Sequence, residues 1–111
     1  MTELKVVARL KIHDGKLDDF NALAAECRRI VKEKDQGTLQ YDWFLNDDQT
    51  ECVVLERYQN SEALIDHMSN LGETLGQLFS TGDFSAEVFG SPSTEVLNAS
   101  EGLEFVFYKE L

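Results

Sequence analysis

Apolar and polar residues alternate from the fourth position onward. Leu4, Val6, Ala8, Leu10 and Ile12 fall on one side of an extended chain, and Lys5, Val7, Arg9 and Lys11 on the other. A period of two predicts a half-buried strand over 4–12. His13-Asp14-Gly15 then breaks the pattern, with Asp14 the expected helix cap. The spacing changes to three and four through Leu17, Phe20, Leu23, Ala24, Cys27, Ile30 and Val31, an amphipathic helix ended by Lys32, Lys34 and Gly37. Two further strands, 39–45 and 52–58, flank the polar turn Asn46-Asp47-Asp48-Gln49-Thr50. Leu39, Tyr41, Trp43 and Leu45 share one face of the first, and Cys52, Val54, Glu56 and Tyr58 one face of the second.

A second helical stripe, capped by Asn60 or Ser61, runs through Leu64, His67, Met68, Leu71, Leu75, Leu78 and Phe79. Gly72 and Gly76 each lower helix propensity by about 1 kcal/mol relative to alanine, which predicts a break near 70–72. A strand over 84–89, a short helix over 93–99 and a last strand over 103–108 complete the chain. The order is β-α-β-β-α-β with a short appendix, an α+β ferredoxin-like arrangement with an antiparallel sheet and helices on one of its faces. The reading is one domain over 1–111, with a core over 1–90 and a C-terminal extension over 91–111. Val7, Phe44, Val53, Leu55 and Phe89 fall on the other sheet face, which is too apolar to sit in water; a homodimer packed sheet on sheet is expected.

Composition narrows the classes of partner. The chain has 111 residues, 42% hydrophobic and 10% aromatic, an ordinary globular balance able to bury a core. Its 21 acidic and 10 basic residues leave a net charge of −11, which argues against nucleic acid and against anionic membrane surfaces. Cys27 and Cys52 lack paired or metal-ligand spacing and read as reduced structural thiols, so no metal is expected. Met1-Thr2-Glu3 leads straight into the first strand with no leader pattern, and no apolar run approaches the ~20 residues of a membrane span, so the expected location is cytoplasmic. Phosphate-loop, dinucleotide and nucleophile-elbow spacings are missing, and no flavin, nicotinamide or other cofactor is expected.

Six segments carry a family likeness. Val7-Ala8-Arg9, Asp14-Gly15-Lys16 followed by Phe20, Gly37-Thr38-Leu39-Gln40-Tyr41, Leu55-Glu56-Arg57-Tyr58, Glu62-Ala63-Leu64-Ile65-Asp66-His67 and Phe89-Gly90-Ser91-Pro92-Ser93 occur in order. Together they resemble the antibiotic biosynthesis monooxygenase superfamily of dimeric α+β barrels, over nearly the whole chain. The resemblance implies that fold, a homodimer and a cleft for a small molecule. It leaves the chemistry open, because members include cofactor-independent oxygenases of phenolic or quinol-like aromatics, haem degraders, and isomerases of a phosphorylated sugar. Haem degradation is disfavoured: Ala8 stands where that branch has an Asn, and Trp43 is on a different strand from the expected Trp.

His67 is the first candidate for chemistry. It sits in the apolar stripe, matches the family's His, and imidazole exchanges protons near neutral pH. The bland alternative is a core histidine bonded to a neighbour such as Glu56. Glu56, a carboxylate on an otherwise apolar face, needs a partner: it serves either as a second catalytic group or as the mate of Arg9 or Arg57 in a structural ion pair. Tyr41, Trp43 and Tyr58 offer flat walls and polar handles for an aromatic substrate, and Met68 and Leu71 an apolar lining; the alternative for each is plain core. His13 is expected to be exposed without a partner. Two functions remain. One is cofactor-independent oxygenation of a small quinol-like aromatic; the other is a non-catalytic small-molecule binding or stress-response domain, or an isomerase of a small metabolite.

Overall fold

The protein is described here by a computed structural model covering residues 3–111. Met1 and Thr2, on which the reading of a leaderless start partly rests, lie outside the described residues. The order is β1 (Leu4–Ile12), α1 (Leu17–Lys34), β2 (Thr38–Leu45), β3 (Glu51–Tyr58), α2 (Ser61–Leu71), α3 (Glu73–Phe79), β4 (Gly82–Phe89), α4 (Thr94–Ala99) and β5 (Phe105–Tyr108). The strands form one open sheet in the order β2-β3-β1-β4-β5. Alternation in β1 decides which side is covered. Leu4, Val6, Ala8 and Leu10 are all buried, and the α1 face of Phe20, Ala24, Cys27, Ile30 and Val31 belongs to the same core.

The α+β ferredoxin-like arrangement is the one expected, with β1, β2, β3 and β4 paired antiparallel; the single departure in strand direction from the sequence reading is the appended β5. β5 runs parallel to β4, pairing Ala86 with Phe105 and Phe89 with Tyr108. The reason is the connection: residues 90–104 hold a helix and cross over instead of turning back as a hairpin. Ser93 caps that helix, its hydroxyl accepting the Val96 N–H, and Val96 is 1% exposed in the core.

Three local expectations also change. Asp14 does not cap α1: Lys16 donates its N–H to the His13 carbonyl at 3.0 Å, a tight turn that leaves Asp14 ahead of the helix start. His13 is exposed as expected but has a partner, Asp83, at 3.0 Å. A register shift between Thr38 and Gln40 in their pairing with β3 makes Leu39 the extra residue, so it is 49% exposed instead of sharing the buried face of Tyr41 and Trp43. The break in the second helical region falls where expected. Gly72 separates α2 from α3 with φ +51°, a conformation other residues rarely adopt. Among the described residues no helix is long and apolar enough to cross a membrane.

Candidate functional site

α1 ends on Asp35, whose extended backbone (φ −72°, ψ 136°) turns the chain into β2. Its side chain points back under α2 and is only 3% exposed. It accepts hydrogen bonds from Thr38 Oγ1 at 2.6 Å, His67 Nδ1 at 2.7 Å and Asn70 Nδ2 at 2.9 Å. Burial acts to raise the Asp35 pKa, but the bonds from His67, Thr38 and Asn70 together outweigh it and hold the carboxyl below its usual range. An ionised carboxylate only accepts, so the pairing assigns the proton of a neutral His67 to Nδ1 and leaves Nε2 with its lone pair. Asn60 secures the start of α2, its side chain accepting the Ala63 N–H at 2.8 Å. Gly37 lets the two elements approach, since a Cβ there would lie 2.5 Å from that of Ala63.

The His67 ring is held between two tyrosines. Its centroid is 5.1 Å from that of Tyr41, nearly edge-on, and 5.0 Å from that of Tyr58. Tyr41 is paired in register with Glu56, and both point to the helix side of the sheet. Tyr58, fully buried, donates its hydroxyl to Glu56 Oε1. Burial pushes the Glu56 carboxyl above its ordinary pKa; the His67 ring and the Tyr58 hydroxyl oppose that shift, and the charge of Asp35 reinforces it. Both tyrosines are also shifted upward, first by burial and then by the nearby Glu56 charge. One small region therefore holds a carboxylate kept ionised, a histidine oriented by it and a carboxyl biased toward its neutral form. That separation is what a paired base and acid require.

A cavity of about 60 Å³ opens beside these groups. Tyr41, Trp43, Glu56, His67 and Met68 line it from β2, β3 and α2, and Phe79, Phe84, Leu103 and Phe105 from α3, β4 and the end of the chain. Tyr58 and Leu71, expected to border the cleft, are buried behind it and do not line it. The indole N–H of Trp43 is buried without a hydrogen-bond partner among the described residues. The expected mates of Glu56 are elsewhere: Arg57 binds Glu3 at 2.8 Å and Arg9 lies 3.7 Å from Glu87, both away from the cavity. His67 is bonded to Asp35, not to Glu56. Asp35 went unremarked in the sequence because it follows a run of charged residues at a helix end, where an acid reads as solvated. The available signal was Asn70, three positions after His67 on one helix face, because two polar groups pointing inward need a shared partner.

The fold has many relatives among solved structures. MupZ from Pseudomonas fluorescens matches with a TM-score of 0.78 at 20% identity, over 100% of this chain and 92% of that one. SnoaB, a cofactor-independent oxygenase from Streptomyces nogalater, matches with a TM-score of 0.68 at 15% identity, over 85% of this chain and 97% of that one. A conserved protein from Methanosarcina mazei Go1 matches at 0.69 and 18%, over 79% and 91%. Identities this low speak for the fold alone. No curated protein matches the sequence. A model of the antibiotic biosynthesis monooxygenase family matches residues 4–71, a span holding Asp35, Tyr41, Glu56, Tyr58 and His67, and the chain therefore belongs to that family.

Proposed function

We propose that the protein is a cofactor-independent monooxygenase of a small, quinol-like aromatic, with His67 as general base and Glu56 as its acid counterpart. The observation that carries this reading is the Asp35–His67 pair at the wall of a largely apolar cavity. His67 Nε2 removes a proton from the ring-activated carbon of the substrate's keto tautomer. The resulting carbanion reduces dioxygen, and recombination forms a C–O bond as a peroxide anion. Neutral Glu56 protonates the outer oxygen. The second hydrogen of that carbon then leaves as a proton while hydroxide departs across the O–O bond; the two form one water beside the new carbonyl, and the proton held by His67 returns Glu56 to its neutral form. Both oxygen atoms and all four electrons are thereby accounted for by substrate and dioxygen. Tyr41 and Trp43 flank the reacting ring, and burial strengthens each polar contact to the developing anion.

SnoaB, a relative by fold, is a cofactor-independent oxygenase, which supports the reaction class. The test is oxygen uptake by the purified protein across a panel of quinols and anthrones, alongside His67→Ala. Turnover lost in that variant is expected; no uptake across the panel, or undiminished turnover without His67, would sink the mechanism. The size of the cavity favours a second reading, a binding domain or an isomerase of a small metabolite, because about 60 Å³ is less than the roughly 150 Å³ of a cavity known to accept benzene. Ligand binding without oxygen consumption would select it.

The assembly is proposed to be a homodimer. The uncovered sheet face exposes Phe44 at 54%, Leu55 at 37%, Val106 at 48% and Tyr108 at 44%, and a second copy packed there would remove them from water. A cytoplasmic location is proposed, which suits two buried, unbridged cysteines, Cys27 and Cys52.

A further inference from the structure

The cavity has one wall held by deep packing and one that is not. Val54, Leu64, Leu78 and Ala86 are each at most 6% exposed and tied into the central strands and helices. Leu103 and Phe105 belong instead to the end of the chain. Phe105 opens a four-residue strand at the sheet edge, with β4 as its neighbour in the sheet, and both side chains are half-buried. Gly102 precedes them with φ +84° and nothing within 4 Å of where a Cβ would stand. Short edge elements of this kind open at far lower free energy than a central strand. Phe105 continues an aromatic row, its ring 6.0 Å from Phe84, which in turn lies 4.2 Å from Phe79. The family match ends at residue 71, so this plug lies outside the shared segment that holds the acid and base groups.

We infer that Phe105, with Leu103 beside it, is the specificity-determining wall of this site: the side chain an incoming ring displaces, and the one that limits how large that ring can be. The inference rests on the proposed aromatic ligand but not on the oxygenation step. As packed, the space beside His67 takes only a fragment smaller than benzene, so a single ring must push Phe105 outward. A fused two-ring system must displace it further, losing the contact with Phe84 as well. Truncating Phe105 removes that obstacle while leaving Asp35, Glu56 and His67 untouched.

The experiment is calorimetric titration of the full chain with phenol and with 2-naphthol, comparing the native protein with Phe105→Ala, Phe105→Leu and Val106→Ala. Val106 is the control, since it lies on the same strand but points to the uncovered face. Native protein is expected to bind phenol and to discriminate against 2-naphthol. Phe105→Ala should tighten 2-naphthol about tenfold or more, the scale on which a pocket senses small changes of volume, with Phe105→Leu between the two and Val106→Ala unchanged. Thermal melts of each variant show that the comparison is between folded proteins, and Phe105→Leu carries the test if Phe105→Ala does not fold. Unchanged 2-naphthol affinity in the folded Phe105 variants, or an equal gain in Val106→Ala, overturns the inference. Binding with this selectivity but without oxygen uptake leaves it standing and removes only the oxygenase chemistry.

Discussion

Asp35 Oδ2 lies 2.7 Å from His67 Nδ1, joining the residue that ends α1 to the inner face of α2 across 32 positions of sequence. Thr38 and Asn70 hold the same carboxylate, so the histidine is oriented by a group that is itself fixed on three sides. That converts a buried imidazole into one with a defined free nitrogen. An unpaired His67 could present either nitrogen to the cavity.

Asp35→Asn should keep the shape and lose the orientation. Its amide nitrogen would face donors, leaving a buried N–H or O–H unsatisfied at about 1–3 kcal/mol of stability. Turnover is expected to fall by roughly 10²–10⁴-fold, the range associated with a positioned base. Ring-nitrogen NMR of His67 should show the Nδ1–H tautomer in the native protein and a mixture in the variant. Denaturant melts and oxygen uptake give the other two quantities.

The two carboxyl groups predict opposite pH responses. The Asp35 pKa is lowered from its ordinary 3.8, so its stabilisation is present above that value and lost as pH falls through the folded-state value. Asp35→Asn should therefore flatten the acid limb of the stability profile. The Glu56 pKa is raised from its ordinary 4.5, so stability declines as pH rises from that value toward the folded one. Glu56→Gln still accepts from Tyr58 and should stabilise the protein near about pH 8 but not below about pH 4. Thermal melts across pH decide both, and a Glu56→Gln effect independent of pH would contradict the burial argument.

Gly37→Ala should act at a distance on the same site. The added methyl lands 2.5 Å from Ala63 Cβ, so β2 and the start of α2 must separate. Overpacking of this kind costs about 1–3 kcal/mol. The separation also stretches the bonds from His67 and Asn70 to Asp35, so activity should fall along with the melting temperature. Full activity in a folded Gly37→Ala protein would mean that the approach is not needed to hold the pair.

Leu55→Asp tests the assembly. Leu55 is opposite Val7 in register on the uncovered face, and its side chain points away from the cavity. Sedimentation of the native chain at micromolar concentration should give twice the monomer mass, with Leu55→Asp shifted toward the monomer. A native protein that sediments strictly as a monomer would rule the sheet-face dimer out.

Periodicity by itself determined most of the architecture: two-residue alternation in β1 and β3, and the three-to-four spacing of α1 and α2, each require one buried face. The split at Gly72 was also legible, because glycine's backbone freedom is a local property. His67 was legible as an inward-facing residue for the same reason. Its partner was not. Whether the acid that reaches an inward histidine is Glu56 or Asp35 depends on how α2 lies against the end of α1, a packing relation between segments far apart in the chain. The bulge that exposes Leu39 and the crossover that makes β5 parallel were likewise decided by pairing with other strands. Local pattern determines which side of each element is buried; only the tertiary structure decides which buried polar groups meet, because hydrogen bonds require contact at about 3 Å and sequence spacing does not carry that distance between elements.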